Sequence, residues 1–277
     1  MPAHVLVTGA AGLIGSAVLD LLAARSITTT ALVPEPGPTQ ASRTVVADAR
    51  DTARVADALE GADAVIHLAA IPTPDRDPDE VVFGHNSQAT FTVLDQAARR
   101  GVSSIAFASS YAIGGLPFAR VPLSLPYLPI DASLPLQITD PYALSKRADE
   151  ATADMIHRRY GTTVTALRLP FVGGFDRLRP MAALYTSDPG RGAADVWSYL
   201  DVRDAATALV AALSPTVPGN HVLYVAAPDT LAPQPTEWLL DQFHPGVPRP
   251  HFPGRTVPID LSPARDLLGF TATHVFA

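Results

Sequence analysis

Tyr142-Ala143-Leu144-Ser145-Lys146 sets a phenol and an ammonium four residues apart where a helical apolar pattern begins. On a helix that spacing puts both groups on one face. A free phenol keeps its proton until about pH 10 and is a poor base at neutrality, but a nearby cation stabilises the phenolate. Lys146 supplies that cation, so the pair suits moving a proton to or from a substrate oxygen. Such a site needs a further hydroxyl to hold the oxygen. Ser109 and Ser110, at the end of the apolar run Ile105–Ala108, are placed to supply it. A Tyr and a Lys one turn apart also occur on many solvated helix faces, so the pair gains meaning only from what surrounds it.

A second group of residues suits phosphate. Val5-Leu6-Val7-Thr8-Gly9-Ala10-Ala11-Gly12-Leu13-Ile14-Gly15 passes from an apolar strand through three glycines into a helix. Gly9 lets the chain reverse, Gly12 has no β-carbon to keep a pyrophosphate away, and Gly15 lets helix and strand pack closely. The free amides and positive dipole end of the helix then hold the phosphates.

These groups require a scaffold of alternating strands and helices. His4–Thr8, Ile27–Val33, Thr44–Ala47, Ala64–Leu68, Ile105–Ala108, Val164–Leu169 and His221–Ala226 read as strands. Ile14–Ala24, Ala53–Leu59, Gln88–Arg100 and Tyr142–Tyr160 read as helices, several ending at glycine. The alternation predicts an α/β fold, a doubly wound parallel sheet with helices on both faces. Residues 1–170 are expected to form the dinucleotide-binding domain. Residues 171–277 are expected to form a small, mainly substrate-binding portion, with 196–226 returning to the core. Gly114–Pro141 holds six prolines and reads as a long loop forming a wall or lid over the site. Pro228–Pro258 is a second proline-rich stretch.

Composition narrows the partners. The formal charge is −7 with no basic cluster, which argues against nucleic acid and anionic membrane. The chain has no cysteine, and its eight histidines show no metal-ligand spacing, so no metal is expected. With no leader pattern or long apolar segment, the expectation is a cytoplasmic protein acting on a small molecule.

The GxxGxxG turn, Thr-Gly-Ala-Ala-Gly-Leu-Ile-Gly, resembles the extended branch of the short-chain dehydrogenase/reductase superfamily, the nucleotide-sugar epimerases and their relatives. Further segments carry the resemblance: Asp48-Ala49, His67-Leu68-Ala69-Ala70, Asn86-Ser87-Gln88-Ala89-Thr90, Leu167-Arg168-Leu169-Pro170, Tyr199–Ala205 and Leu268-Gly269-Phe270. It implies a Rossmann-type fold and an NAD or NADP cofactor. Gly9, Gly12, Leu13, Ile14, Gly15, Asp48, Ala49, Leu68, Ala69, Ala70, Asn86, Tyr142, Lys146 and Pro170 would contact or frame it. Asp48 would lie near the adenine, or, on a plainer reading, cap the next helix. Pro170 stands where the family usually has Asn. Counting back from Gly115, the resemblance selects Ser110 as the catalytic hydroxyl beside Tyr142 and Lys146. Glu35 follows the second strand, and no Lys or Arg lies between Ser26 and Gln40, which favours NAD; Arg25 and Arg43 stand just outside.

Family dehydratases place an acid and a base directly after the catalytic hydroxyl, and Tyr111-Ala112 replaces them here. The part after Leu169 is short for a nucleotide-sugar epimerase. The leading expectation is therefore hydride transfer between an alcohol and a ketone or aldehyde on a small sugar-like or polyketide-like substrate, as in uronate dehydrogenases or ketoreductases. Epimerization of a nucleotide sugar and non-catalytic dinucleotide sensing are the alternatives. Arg177, Arg179 or Arg191 would meet an anionic group on the substrate. The resemblance also implies a homodimer through helices Gln88–Arg100 and Tyr142–Tyr160.

Overall fold

In the computed structural model, which describes residues 2–276, the short apolar runs form one parallel sheet. Its strands are β1 (His4–Thr8), β2 (Thr28–Val33), β3 (Arg43–Val46), β4 (Ala64–His67), β5 (Ser104–Ser110), β6 (Thr163–Leu169) and β9 (Asn220–Tyr224). Their order is β3-β2-β1-β4-β5-β6-β9. The direction of winding reverses at β1, which pairs with β2 on one side and β4 on the other. Ligands of such sheets bind in the crevice that this reversal opens at the carboxyl ends of the strands.

Side-chain alternation along the strands divides the core. Leu6, Val65, Ile105, Phe107 and Val164 face α2 (Thr52–Ala58), α3 (Asp79–Arg99) and α4 (Pro141–Tyr160), packing against Val55, Val93, Leu94 and Ile156. Val5, Val7, Ile66, Ala106 and Leu167 face the other way, towards α1 (Leu13–Ala24) and α6 (Val202–Ala211), against Leu19, Leu22 and Leu209. Both faces are covered, which explains the nearly continuous apolar runs in β1 and β4.

A third cluster lies beyond the strand ends. It joins Leu125, Leu128, Ile130 and Leu134 of the proline-rich loop to Trp197, Tyr199, Leu239, Phe252 and Ile259. Backbone bonds tie the loop to the C-terminal part: Leu128 N to Pro248 O at 2.9 Å and Ile130 N to Pro258 O at 3.0 Å. The loop is thus an anchored wall. Two short strands, β7 (Phe171–Gly173) and β8 (Tyr199–Asp201), form a separate parallel pair, with α5 (Phe175–Ser187) between them in sequence. Helices α7 (Thr236–Phe243) and α8 (Ser262–Leu268) complete the chain.

Some expected boundaries move. Helix α3 begins at Asp79 rather than Gln88: Pro78 precedes it, Asp79 and Glu80 fill its first turn, and Gly84 interrupts the apolar pattern there. Strands β3 and β4 each stop one residue earlier than expected, and β9 ends at Tyr224 rather than Ala226. Strands β7 and β8 are three residues each, too short for periodicity to reveal. Helix α5 contains Pro180, a residue that ordinarily argues against a helix interior.

Candidate active site

The glycine turn is built by steric necessity. Gly9 has φ +64°, and a β-carbon there would lie 2.7 Å from the Ala69 nitrogen. A β-carbon on Gly15 would lie 2.3 Å from the Gly9 carbonyl oxygen, so α1 can cross β1 this closely only without one. Gly12 is the N-cap of α1, and no side chain caps the helix. Gly12, Leu13, Ile14 and Gly15 line a cavity of about 710 Å³. First-turn amides and the helix dipole therefore meet an open cradle suited to a pyrophosphate. The same cavity continues along Leu68, Ala69 and Ala70 to Ser110, Tyr142, Lys146 and Pro170. Its lining fits an extended dinucleotide running from the phosphate cradle to the phenol.

Tyr142 and Lys146 are placed by the start of α4. Asp140 caps the helix, accepting from Ala143 N at 2.8 Å, and Pro141 occupies its first turn. The Tyr142 ring meets Phe118 edge-on, with centroids 5.8 Å apart, and the Lys146 ammonium lies 5.7 Å from the Tyr142 ring centroid. Lys146 donates to Ala108 O at 3.1 Å and to Asp149 Oδ2 at 3.2 Å. Burial works against its charge, but Asp149, Tyr142 and Glu150 outweigh that and hold the ammonium above the ordinary lysine range.

The two serines separate cleanly. Ser109 donates to Glu150 Oε1 at 2.7 Å, and Glu150 also accepts from Arg168 at 2.9 and 2.8 Å, inside the protein. Ser110 accepts from Ala112 N at 3.1 Å, which leaves its own O–H free to donate. Both serines line the cavity, but the Ser109 hydroxyl is already committed to Glu150, whereas that of Ser110 has no protein acceptor among the described residues.

Other residues singled out by the sequence lie elsewhere. Asp48 and Ala49 are outside the cavity lining; Asp48 is held by Arg50 at 2.6 Å, and that bonding lowers its pKa. It is not the cap of α2 either: Asp51 caps that helix, accepting from Ala53 N and Arg54 N. Asn86 is also outside the lining, with its amide bound to Ile71 N, Ile71 O and Ser145 Oγ at 2.7, 3.0 and 3.2 Å. It braces the loop after β4 against α4. Glu35 is exposed, and Arg43 is occupied by Asp57. Of the three arginines proposed for an anionic group, Arg177 lines the cavity, its guanidinium 5.0 Å from the Phe171 ring centroid, whereas Arg179 and Arg191 do not line it. Tyr111, in the place a dehydratase gives to an acid, donates to Ala194 O at 3.2 Å; burial and the nearby Asp195 push its proton affinity well up.

Three side chains at the site were given no role in the sequence. His67 bonds Thr8 at 2.7 Å and Thr90 at 3.1 Å, and burial lowers its pKa to about 3. Asp149 stands three residues after Lys146, a spacing that does not by itself distinguish a buried pair from a solvated one. Asp195 lines the cavity with no hydrogen bond to its carboxylate among the described residues, and burial raises its pKa to about 6.

The fold and this cleft define a dinucleotide-binding enzyme of the short-chain dehydrogenase/reductase type. Residues 5–187 match the NAD dependent epimerase/dehydratase family, and the chain belongs to it. It is 32% identical to a 3-diazoavenalumate denitrifying reductase of a Streptomyces species, over 98% of this chain and 89% of the relative. It is 30% identical to an L-arabinose 1-dehydrogenase (NAD(P)(+)) of Haloferax volcanii, over 64% of this chain and 70% of that one. A short-chain dehydrogenase/reductase superfamily protein of Agrobacterium tumefaciens, solved with bound NAD, shares the fold: TM-score 0.74 and 23% identity, over 98% of this chain and 93% of that one.

Proposed function

We propose that this chain is an NAD(P)-dependent oxidoreductase that interconverts an alcohol and a ketone or aldehyde on a small, sugar-like or polyketide-like substrate. The observation that carries the reading is that Ser110, Tyr142 and Lys146 line the same cavity as the glycine turn. The dinucleotide supplies or accepts hydride when bound. Ser110 donates to the substrate oxygen, Tyr142 gives or takes its proton, and Lys146 favours the charged phenolate. No Lys or Arg lies between Ser26 and Gln40, and Arg43 and Arg50 are bound to Asp57 and Asp48, which supports NAD over NADP.

At the far end of the cavity Phe118, Phe171 and Tyr111 form an aromatic wall beside Arg177 and Asp195. That wall suits a ring-shaped or flat substrate carrying both an anionic group for Arg177 and a hydrogen-bond donor for Asp195. Epimerization remains the second reading because nucleotide-sugar epimerases share this fold. It requires room for a nucleotide beyond the reacting sugar. A homodimer through α3 and α4 belongs to the same proposal, supported by exposed Phe91 and Leu144 on those helices. No helix among the described residues is long and apolar enough to cross a membrane.

The test is nicotinamide absorbance with NAD and NADP against a panel of aldoses, uronic acids, ketones and nucleotide sugars. Tyr142→Phe is expected to lower kcat by at least about a hundredfold, as loss of a general acid–base group does, while dinucleotide affinity stays within a few fold. Wild-type turnover in that variant would refute the assignment.

A further inference from the structure

Of the chain's twenty basic side chains, Lys146 is the only lysine. A guanidinium spreads its charge over a rigid fork, whereas an ammonium is a compact charge with three donors that loses its proton readily when buried. Lys146 is almost wholly buried, its side chain 5% exposed. A charge so placed needs a counter-charge, since an unpaired buried ion is strongly disfavoured.

Glu150 is not free to serve. It accepts from Ser109 and twice from Arg168, which also donates to Tyr224 at 3.3 Å. Asp149 is fully buried and has one oxygen on the ammonium, while its other oxygen lacks a well-formed hydrogen bond. Burial pushes the Asp149 carboxyl up, opposed by Lys146 and by the Thr90 hydroxyl nearby.

A hydrogen-bonded chain runs from the glycine turn as far as Thr90, beside this carboxylate. Thr8 Oγ1 accepts from Leu68 N and Ala69 N, each at 3.2 Å, so its proton goes to His67 Nδ1. His67 is neutral, and this bond places its proton on Nε2, where it is donated to Thr90 Oγ1. Thr90 then keeps its own O–H on the side of Asp149, close to the carboxylate but without a formed hydrogen bond to it. The other charged or titratable groups around the pair are accounted for. Tyr142 and Glu150 share α4, His85 lies on α3 towards His67, Arg168 on β6 is bound to Glu150, and Tyr111 after β5 is bound to Ala194. Strand β5 itself offers Lys146 only the Ala108 carbonyl.

We propose that Asp149 is a positioning residue for Lys146: ionised and backed by the Thr8–His67–Thr90 chain, it keeps the ammonium charged and fixes its direction. Asp149 and Ala108 take two of the three ammonium donors, and the third is left for the cavity. This deepens the reading of Tyr142 and Lys146 and rests on it for its catalytic meaning, but the pairing itself is measurable without any substrate.

A single lysine makes the measurement unambiguous. In protein carrying 13C-labelled lysine, one side-chain Cε signal reports the titration of Lys146. The wild type is expected to show no inflection below about pH 10.4, the ordinary lysine value. In Asp149→Asn the midpoint is expected to fall by more than one pH unit, a tenfold change in the protonation ratio. An unchanged midpoint in folded, dinucleotide-binding Asp149→Asn would mean that the carboxyl is neutral and would overturn the proposal. If Asp149→Asn does not fold, Thr90→Val decides: a smaller downward shift supports the proposal, and a titration identical to wild type overturns it. Tyr142→Phe turnover is measured separately, so failure of the catalytic reading is distinguished from failure of this pairing.

Discussion

The two walls of the active cavity treat their polar groups in opposite ways. Along α4 and β5 most buried groups have protein partners: Ser109, Glu150, Arg168 and Tyr224 form one network, and Asn86, Ser145 and the Ile71 backbone form another, while Asp140 and Asp149 each keep one oxygen without a partner. Across the cavity, Asp195 has no hydrogen bond to its carboxylate, and Arg177 rests on an aromatic face with no carboxylate bound to it. A charged group that faces a cavity without a protein partner can take one from a ligand. On the proposed reading the first wall holds the catalytic groups in place, and the second meets the substrate.

The comparison breaks most readily at the first wall. Glu150→Ala would leave the Arg168 guanidinium, 3% exposed, without a counter-charge. A stability loss of about 3 to 5 kcal/mol is expected by denaturant titration. A change under 1 kcal/mol would mean that the network is not structural.

The paired serines sharpen the contrast within one dipeptide. Ser110→Ala is expected to lower kcat by about 10² to 10³, as removal of a donor to a developing oxyanion does, with little change in stability. Ser109→Ala is expected to do the reverse, lowering stability by about 1 to 3 kcal/mol through an unmade buried bond while leaving kcat nearly intact. Equal kinetic losses in both variants would erase the distinction.

The second wall predicts a trade. Asp195 has a folded-state pKa of about 6, raised above its ordinary 3.8 by burial. The folded protein therefore binds that proton more tightly than the unfolded chain does. The resulting stability is present below pH 3.8 and is lost as pH rises through 6. At pH above 7, Asp195→Asn should be more stable than wild type by up to about 3 kcal/mol, from about two pH units at 1.36 kcal/mol each. The same variant should raise KM, and the wild-type rise in KM as pH falls through about 6 should disappear from it. Arg177→Ala gives the smallest effect, a KM increase of about tenfold, without loss of kcat. A substrate panel on which neither variant changes KM would remove both residues from recognition.

Much of the scaffold is written locally. Apolar runs of strand length, glycines after helices and the three-glycine turn all act through near neighbours, so β1, β2, α1 and the cradle could be placed from the chain alone. Tyr142 and Lys146 were legible because one helical turn fixes their relation. The start of α3 was not, because Gly84 and the exposed Val81 and Phe83 obscure the apolar period there. Asp48 shows the opposite case. A carboxylate at a promising strand end is claimed by Arg50, two residues on, and no pattern in spacing announces which partner wins.

The residue order alone determined the parallel sheet, the phosphate cradle, and the phenol and ammonium on one helix face, since each depends on conformational preferences of a few adjacent residues. Tertiary structure decided which serine is free, that Asp149 rather than Glu150 meets Lys146, and that Asp195 looks into the cavity. Those choices depend on burial and on partners up to dozens of residues away. Whether a charge is paired, screened or exposed is a property of the packed molecule.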